Sequence, residues 1–200
     1  MTLPTATGAL ADCGASARSQ PLRRFLLAAP VRRHAAPADA AARPPSPQDA
    51  EALAHLLHAA YRGTVDDEGE TLDDTRGVVA QLMAGEFGDW LASASEVVER
   101  DDAIVAATLL TLWRDGPLVA FTATLPAYQR QGLARAGLQR AFNRLAAGDE
   151  PWLRLVVTEG NTRALALYDS LGFVPQAQPP YVLPDSASEV APEAPSDDSA

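Results

Sequence analysis

The sequence predicts one α/β domain, a mixed sheet flanked by helices, set between two tails with no fold of their own. Three observations lead there. Apolar residues recur at helical spacing in four stretches, β-branched and apolar runs bounded by turn sequences lie among them, and the order is helix, helix, three strands, helix, strand, helix, strand. At 200 residues with 47% hydrophobic content, the chain can fill one good-sized core and is too short for two.

Residues 1–38 are expected to be an unordered extension. Ala, Ser, Pro, Gly and Arg mix there with little sustained periodicity, and such a segment buries too little apolar surface to offset its ordering entropy. The folded domain is expected over 39–183. After Pro44-Pro45-Ser46-Pro47, the residues Leu53, Leu56, Leu57, Ala60 and Tyr61 mark one face of a helix that Ser46 or Asp49 can cap and Gly63 ends. Asp66, Asp67, Glu68, Glu70, Asp73 and Asp74 then crowd carboxylates too densely for a strand, so a loop is expected. Val78, Val79, Leu82 and Met83 give a second helix over 74–84, stopped by Gly85.

The runs 96–99, 104–113 and 118–124 are separated by Asp101-Asp102 and by Asp115-Gly116-Pro117, which are turn sequences, and they predict an antiparallel meander. Helical period returns over 132–147. Residues 153–158 predict a further strand, and Asn161 caps a last helix that runs to Leu171 and is closed by Gly172. Phe173-Val174 and Tyr181-Val182-Leu183 are short enough for edge strands. Residues 184–200, with three prolines, four serines and five acids, are expected to be a solvated acidic tail.

Composition excludes several function classes. The best apolar run, Phe25 to Val31, falls far short of the ~20 residues that span a bilayer and ends at Arg32-Arg33, so no membrane partner is expected. The lone cysteine, Cys13, rules out an internal disulfide framework and suits a cytoplasmic location. All sixteen basic residues are arginine; six face two aspartates before residue 49, and ten face 24 acids from residue 49 on. An acidic body disfavours nucleic acid and attracts cations such as an amine. His55 and His58 lie one turn apart on the first helix without further ligands, and no metal is expected.

Two stretches carry chemistry. The first is Thr122-Ala123-Thr124-Leu125-Pro126-Ala127-Tyr128-Gln129-Arg130-Gln131-Gly132-Leu133-Ala134-Arg135, which passes from a strand through a proline turn into a helix. The first turn of a helix presents unpaired N–H groups and the positive end of the dipole, so it suits a phosphate or pyrophosphate. Gly132 and Ala134 allow close approach, and Arg130 and Arg135 add charge. The second stretch sets Asn161, Ala164, Tyr168 and Leu171-Gly172-Phe173 after the strand 153–158. A capped helix accounts for all of these except Tyr168, whose phenol on a half-buried helix needs a partner.

The spacing Gln-x-x-Gly-x-Ala at Gln129–Ala134, followed by the Asn161, Ala164, Tyr168, Leu-Gly-Phe pattern, resembles the GNAT superfamily of acyl-CoA-dependent N-acyltransferases. The resemblance covers residues 97–173 well and 44–96 by element order alone. It implies a mixed, mostly antiparallel sheet, acetyl-CoA as acyl donor, and transfer of the acetyl group to a primary amine, on a small molecule or a protein N-terminus, by direct attack in a ternary complex. It implies that Thr122, Ala123, Thr124, Gln129, Arg130, Gln131, Gly132, Leu133, Ala134, Arg135 and Asn161 hold the donor. It further implies that the Tyr168 hydroxyl faces the sulfur as general acid, a role that a phenol of reference pKa ~10 can fill. A homodimer is compatible with all of this.

The strand 117–124 has no carboxylate to take the proton of the attacking amine, which leaves Glu96, Glu99 or a member of the loop from Asp66 to Glu70 as candidates. Tyr61, Asp66, Glu68 and Glu70 are expected to wall the acceptor site, while Trp90 and Trp113 could line a pocket or fill the core. The missing strand carboxylate also admits a non-catalytic acyl-CoA sensor. A nucleotide-binding domain ranks below both, because no Rossmann or P-loop glycine pattern is present.

Overall fold

A computed structural model describes residues 23–176, apart from Asp115 and Asp149. Cys13, the expected strand at Tyr181–Leu183 and the acidic tail lie outside the described residues. The described chain runs β1 (Arg24–Pro30), β2 (Ala42–Arg43), α1 (Ala50–Tyr61), α2 (Leu72–Ala84), β3 (Asp89–Trp90), β4 (Glu96–Arg100), β5 (Ala103–Trp113), β6 (Gly116–Thr124), α3 (Leu133–Leu145), β7 (Trp152–Thr158), α4 (Thr162–Asp169) and β8 (Val174–Pro175).

The strands form one sheet in the order β2-β4-β5-β6-β7-β1-β8, with β3 also on β5. Every pairing is antiparallel except that of β6 with β7. The expected meander is therefore present as β4-β5-β6. Its first turn, Asp101-Asp102, takes positive φ at both residues (49° and 59°), the backbone that a tight two-residue hairpin requires.

Neighbouring residues on a strand point to opposite faces, and the sheet divides its core accordingly. Leu53, Leu56 and Leu57 of α1 and Val79 and Leu82 of α2 bury against Val97, Ala107, Leu109 and Ala123 on one face. Leu138, Phe142 and Leu145 of α3, with Tyr168 and Leu171, bury against Leu27, Leu110, Val119, Leu153, Leu155 and Val157 on the other. Gly137 lets α3 lie flat on the sheet: a Cβ there would sit 2.5 Å from the Thr108 hydroxyl.

The caps explain the helix limits. A single 3-10 turn over Pro47–Asp49 leads into α1, and Asp49 ties back to the Ser46 N–H at 2.7 Å. Helix α2 begins two residues earlier than its periodicity suggests. Thr71 forms a reciprocal cap with Asp74, donating its N–H to Oδ2 at 2.8 Å and accepting the Asp74 N–H at 3.2 Å. Gly85, at φ 82°, ends it in the left-handed region.

One expectation is corrected. Residues 24–30, placed by the sequence in an unordered extension, form β1, an interior strand paired along its whole length with β7 and at Leu27 and Ala28 with β8. Leu26, Leu27, Ala28 and Ala29 are buried there. The segment that follows is anchored too: the His34 N–H donates to Asn143 Oδ1 at 2.7 Å, and Asn143 Nδ2 returns a bond to the His34 carbonyl at 3.0 Å.

Candidate active site

The site begins where β6 and β7 part. They pair in parallel only at Leu118↔Arg154 and Val119↔Leu155. The next residue, Ala120, is the extra residue of a β-bulge, since Leu109 faces Phe121 while Leu110 faces Val119. A bulge bends and twists its strand. Beyond it, β6 continues to Thr124 and β7 to Thr158 with no ladder between them, leaving a slot with main-chain edges on both sides. Thr122 and Thr124, both expected to hold the donor, lie on this free length, and their hydroxyls are buried without a hydrogen-bond partner among the described residues.

At the end of the slot, β6 passes through the 3-10 turn Pro126–Tyr128 into the loop before α3. Arg130 holds a positive φ of 62°, a strained backbone for a side chain of its kind, and Gly132 follows at 81° as the N-cap. A Cβ on Gly132 would meet nothing within 4 Å, so the space above the first turn of α3 is open. Arg130 is exposed and makes no hydrogen bond or ion pair among the described residues. Gln129 braces the loop, donating Nε2 to the Thr124 carbonyl at 3.3 Å and accepting from Arg163 of α4. Arg135 reaches across to Ser170 Oγ at 2.5 Å. Gln131, Leu133 and Ala134 complete the turn; Gln131 donates to the Ala127 carbonyl at 3.5 Å. The open first turn and the free guanidinium suit an anionic group, and the gap between β6 and β7, where no ladder joins them, suits an extended amide-bearing arm.

Two tyrosines on opposite faces of the sheet are coupled electrostatically. Tyr168 comes from α4, 6% exposed, its ring edge-on to Phe173 at 5.7 Å. Tyr61 is the last residue of α1. Burial raises the pKa of both, and the Asp66 carboxylate raises both further; Tyr61 also feels Tyr168, while a backbone hydrogen bond from Thr122 works in the opposite sense. Both hydroxyls therefore keep their protons at neutral pH and above.

Asn161 connects the two sides. Its Oδ1 accepts the Ala164 N–H at 3.1 Å as the cap of α4, which turns Nδ2 toward Asp66, and that amide donates to Asp66 Oδ2 at 2.9 Å. Of the acceptor residues the sequence suggests, Tyr61 and Asp66 thus come together with Tyr168 and Asn161, whereas Glu68 and Glu70 are turned to other tasks. Glu68 pairs with Arg24 at 2.7 Å, and Glu70 Oε2 accepts the Glu68 N–H at 3.0 Å. Two base candidates are likewise committed. Glu96 is buried between Arg140 and Arg144 of α3, and Glu99 is held by Arg43 at 2.9 Å. Trp90 packs in the core with α1 and α2.

Sequence reasoning missed the role of β1, whose Arg24 ties down the acidic loop through Glu68; no local signal marks that contact. It also missed the hollow of about 340 Å³ on the flank of α3, lined by Asp39, Arg100, Gly132, Arg135 and Arg140 among others. There Arg100 is engaged by Asp39 and Arg140 by Glu96. Among the described residues, no helix is long and apolar enough to cross a membrane.

The family model described as Acetyltransferase (GNAT) family matches residues 50–173. A [Ribosomal protein bS18]-alanine N-acetyltransferase of Haemophilus ducreyi is 37% identical over 95 residues, a match that spans 46% of this chain and 65% of that relative. The crystal structure of the ribosomal-protein-S18-alanine N-acetyltransferase from Escherichia coli superposes with a TM-score of 0.53 at 25% identity, over 66% of this chain and 75% of the other. A GCN5-related N-acetyltransferase from Sphaerobacter thermophilus, at 18% identity, shares the fold with a TM-score of 0.61 over 78% of this chain and 50% of its own.

Proposed function

Since this chain belongs to the GNAT acetyltransferase family, we propose that it moves an acetyl group from acetyl-CoA to a primary amine, with the unblocked N-terminus of a polypeptide as the first acceptor to try. The match to enzymes that act on the alanine of a ribosomal protein motivates that choice of acceptor. The observation that supports the reading is the buried, protonated Tyr168 phenol, which is coupled to Tyr61, itself bonded to the Thr122 backbone on the length of β6 that parts from β7 and leads to the open first turn of α3.

In this reading the donor supplies an activated acyl group, and the protein supplies position and protons. The N–H groups at the start of α3 and the guanidinium of Arg130 hold the pyrophosphate, with Arg135 alongside. The length of β6 beyond the bulge lies along the amide-bearing arm, and Asn161 fixes the far wall. The amine lone pair forms the new C–N bond, the C–S bond breaks with its electron pair on sulfur, and the Tyr168 hydroxyl gives that sulfur a proton.

The test is thiol release from acetyl-CoA with a synthetic peptide that begins with an unblocked alanine, beside its N-acetylated form and a panel of alkyl amines. Tyr168→Phe should lower kcat by about 100-fold or more while leaving the acetyl-CoA Kd in place. Turnover by the mutant at the native rate would remove Tyr168 from the reaction. Acetyl-CoA binding without turnover of any amine would favour a sensor.

A further inference from the structure

The proposed reaction lacks one part. A primary amine is protonated at neutral pH, with a reference pKa of ~8 for a polypeptide N-terminus and ~10 for a side-chain amine, and its lone pair is available only after that proton leaves. Neither β6 nor β7, the strands that flank the slot, carries a carboxylate. Resting on the acetyl-transfer reading, we infer that Asp66 is the carboxylate on which the acceptor ammonium docks and to which it yields its proton.

Among the carboxylates that the sequence offers as bases, the geometry singles out Asp66. Glu96 and Glu99 are occupied by arginines. Within the acidic loop, Asp67 spends its oxygens on the N–H groups of Gly63 and Gly69 at 2.6 and 3.0 Å, Glu68 on Arg24, and Glu70 on the backbone of Glu68. These bonds hold the loop in shape. Asp66 is left to point inward, half-buried, with Oδ2 accepting from Asn161 and Oδ1 free of any hydrogen bond among the described residues. The titratable groups that face it are Tyr61 from α1 and Tyr168 from α4, and both register its charge.

The Asn161 bridge gives Asp66 its precision. Asn161 caps α4, the helix that carries Tyr168, so one side chain positions both the residue that takes a proton and the helix of the residue that gives one. The protons balance. The ammonium gives one to Asp66 Oδ1, the neutral nitrogen bonds to the acyl carbon, and sulfur leaves with the C–S pair and takes the Tyr168 hydroxyl proton. The second proton lost by nitrogen restores Tyr168, and Asp66 returns its own to solvent. One amide, one thiol and one solvent proton result.

The experiment compares the native protein, Asp66→Asn and Asp66→Glu, using the alanine peptide, propylamine and spermidine as acceptors from about pH 6 to about pH 9.5. Acetyl-CoA Kd by calorimetry and thermal midpoint are measured in parallel. Asp66→Asn should lose about 100-fold in kcat/KM for the amine near neutrality, with the Kd and the midpoint retained. Its rate should climb about tenfold per pH unit until the amine's own pKa, because only the fraction that is already neutral reacts, and the native profile should be flatter. Asp66→Glu should recover part of the activity. An Asp66→Asn protein with the native kcat/KM and pH profile overturns the inference and leaves the acetyl-transfer reading standing, as does one that fails only through loss of acetyl-CoA binding. A native protein that binds acetyl-CoA and turns over no amine overturns both.

Discussion

The placement of an anion at the first turn of α3 can be tested with a matched pair of glycine substitutions. Gly132 and Gly85 have nearly the same backbone, φ 81° and 82°, and the Cβ of an alanine would meet nothing within 4 Å at the first and only the Gly88 carbonyl oxygen, at 3.9 Å, at the second. Alanine in the left-handed region costs roughly 1 kcal/mol at either site. For a domain of this size that is a fall in Tm of about 2–4 °C. The two variants should therefore be equally destabilised. They should differ in ligand affinity, because the methyl group at residue 132 enters the space above the first turn of α3. Losing one charge-assisted backbone hydrogen bond to a pyrophosphate costs about 1.5–3 kcal/mol, or roughly 10- to 100-fold in Kd. The assay is calorimetric titration of acetyl-CoA into the native protein, Gly132→Ala and Gly85→Ala, with Tm measured without ligand. If Gly132→Ala is destabilised like Gly85→Ala yet binds acetyl-CoA with the native Kd, the pyrophosphate does not lie over the first turn of α3.

Two predictions concern the framework. Glu96→Gln should destabilise the fold by roughly 3–5 kcal/mol in urea titration, because it leaves Arg140 and Arg144 without the buried carboxylate that joins them, and a loss below about 1 kcal/mol would show the network to be dispensable. Acid should weaken the fold through Asp49, whose pKa is lowered to about 2, chiefly by its hydrogen bonds with Arg43. A lowered folded-state pKa stabilises above the unfolded value of ~3.9. About 2 kcal/mol should therefore be present at pH 5 and vanish as the pH falls toward 2, and Asp49→Asn should flatten that part of the stability profile.

Much of this architecture is legible in the sequence because its signals are local. Gly85 and Gly172 close their helices, Asn161 caps α4, and the runs from Ile104 to Thr124 are long and apolar enough to declare strands. Strand β1 is different. Phe25–Ala29 is a brief apolar run between arginines and a proline, and it is ordered by β7 and β8, which lie far along the chain. Strands β2 and β3 have two residues each, too few to show a period. The site divides in the same way. Spacing picks out the loop before α3 and Tyr168. The choice of Asp66 over Glu68 or Glu70 depends on which carboxylates the loop's own N–H groups and Arg24 consume, and that is fixed only when the chain has closed.

The place of β1 within the sheet also sets the order in which the molecule can assemble. Strand β1 is made long before β7, the strand it pairs with along its whole length, and must wait for it. Until then its Leu27 and Ala29 have no partner strand, and Arg24 has no closed loop to tie. Pairing of β1 with β7 buries Leu27 and Ala29 in the core shared with α3 and sets Arg24 against Glu68 of the acidic loop. Trimming into this strand would bare the edges of β7 and β8 and release Glu68 at the same stroke.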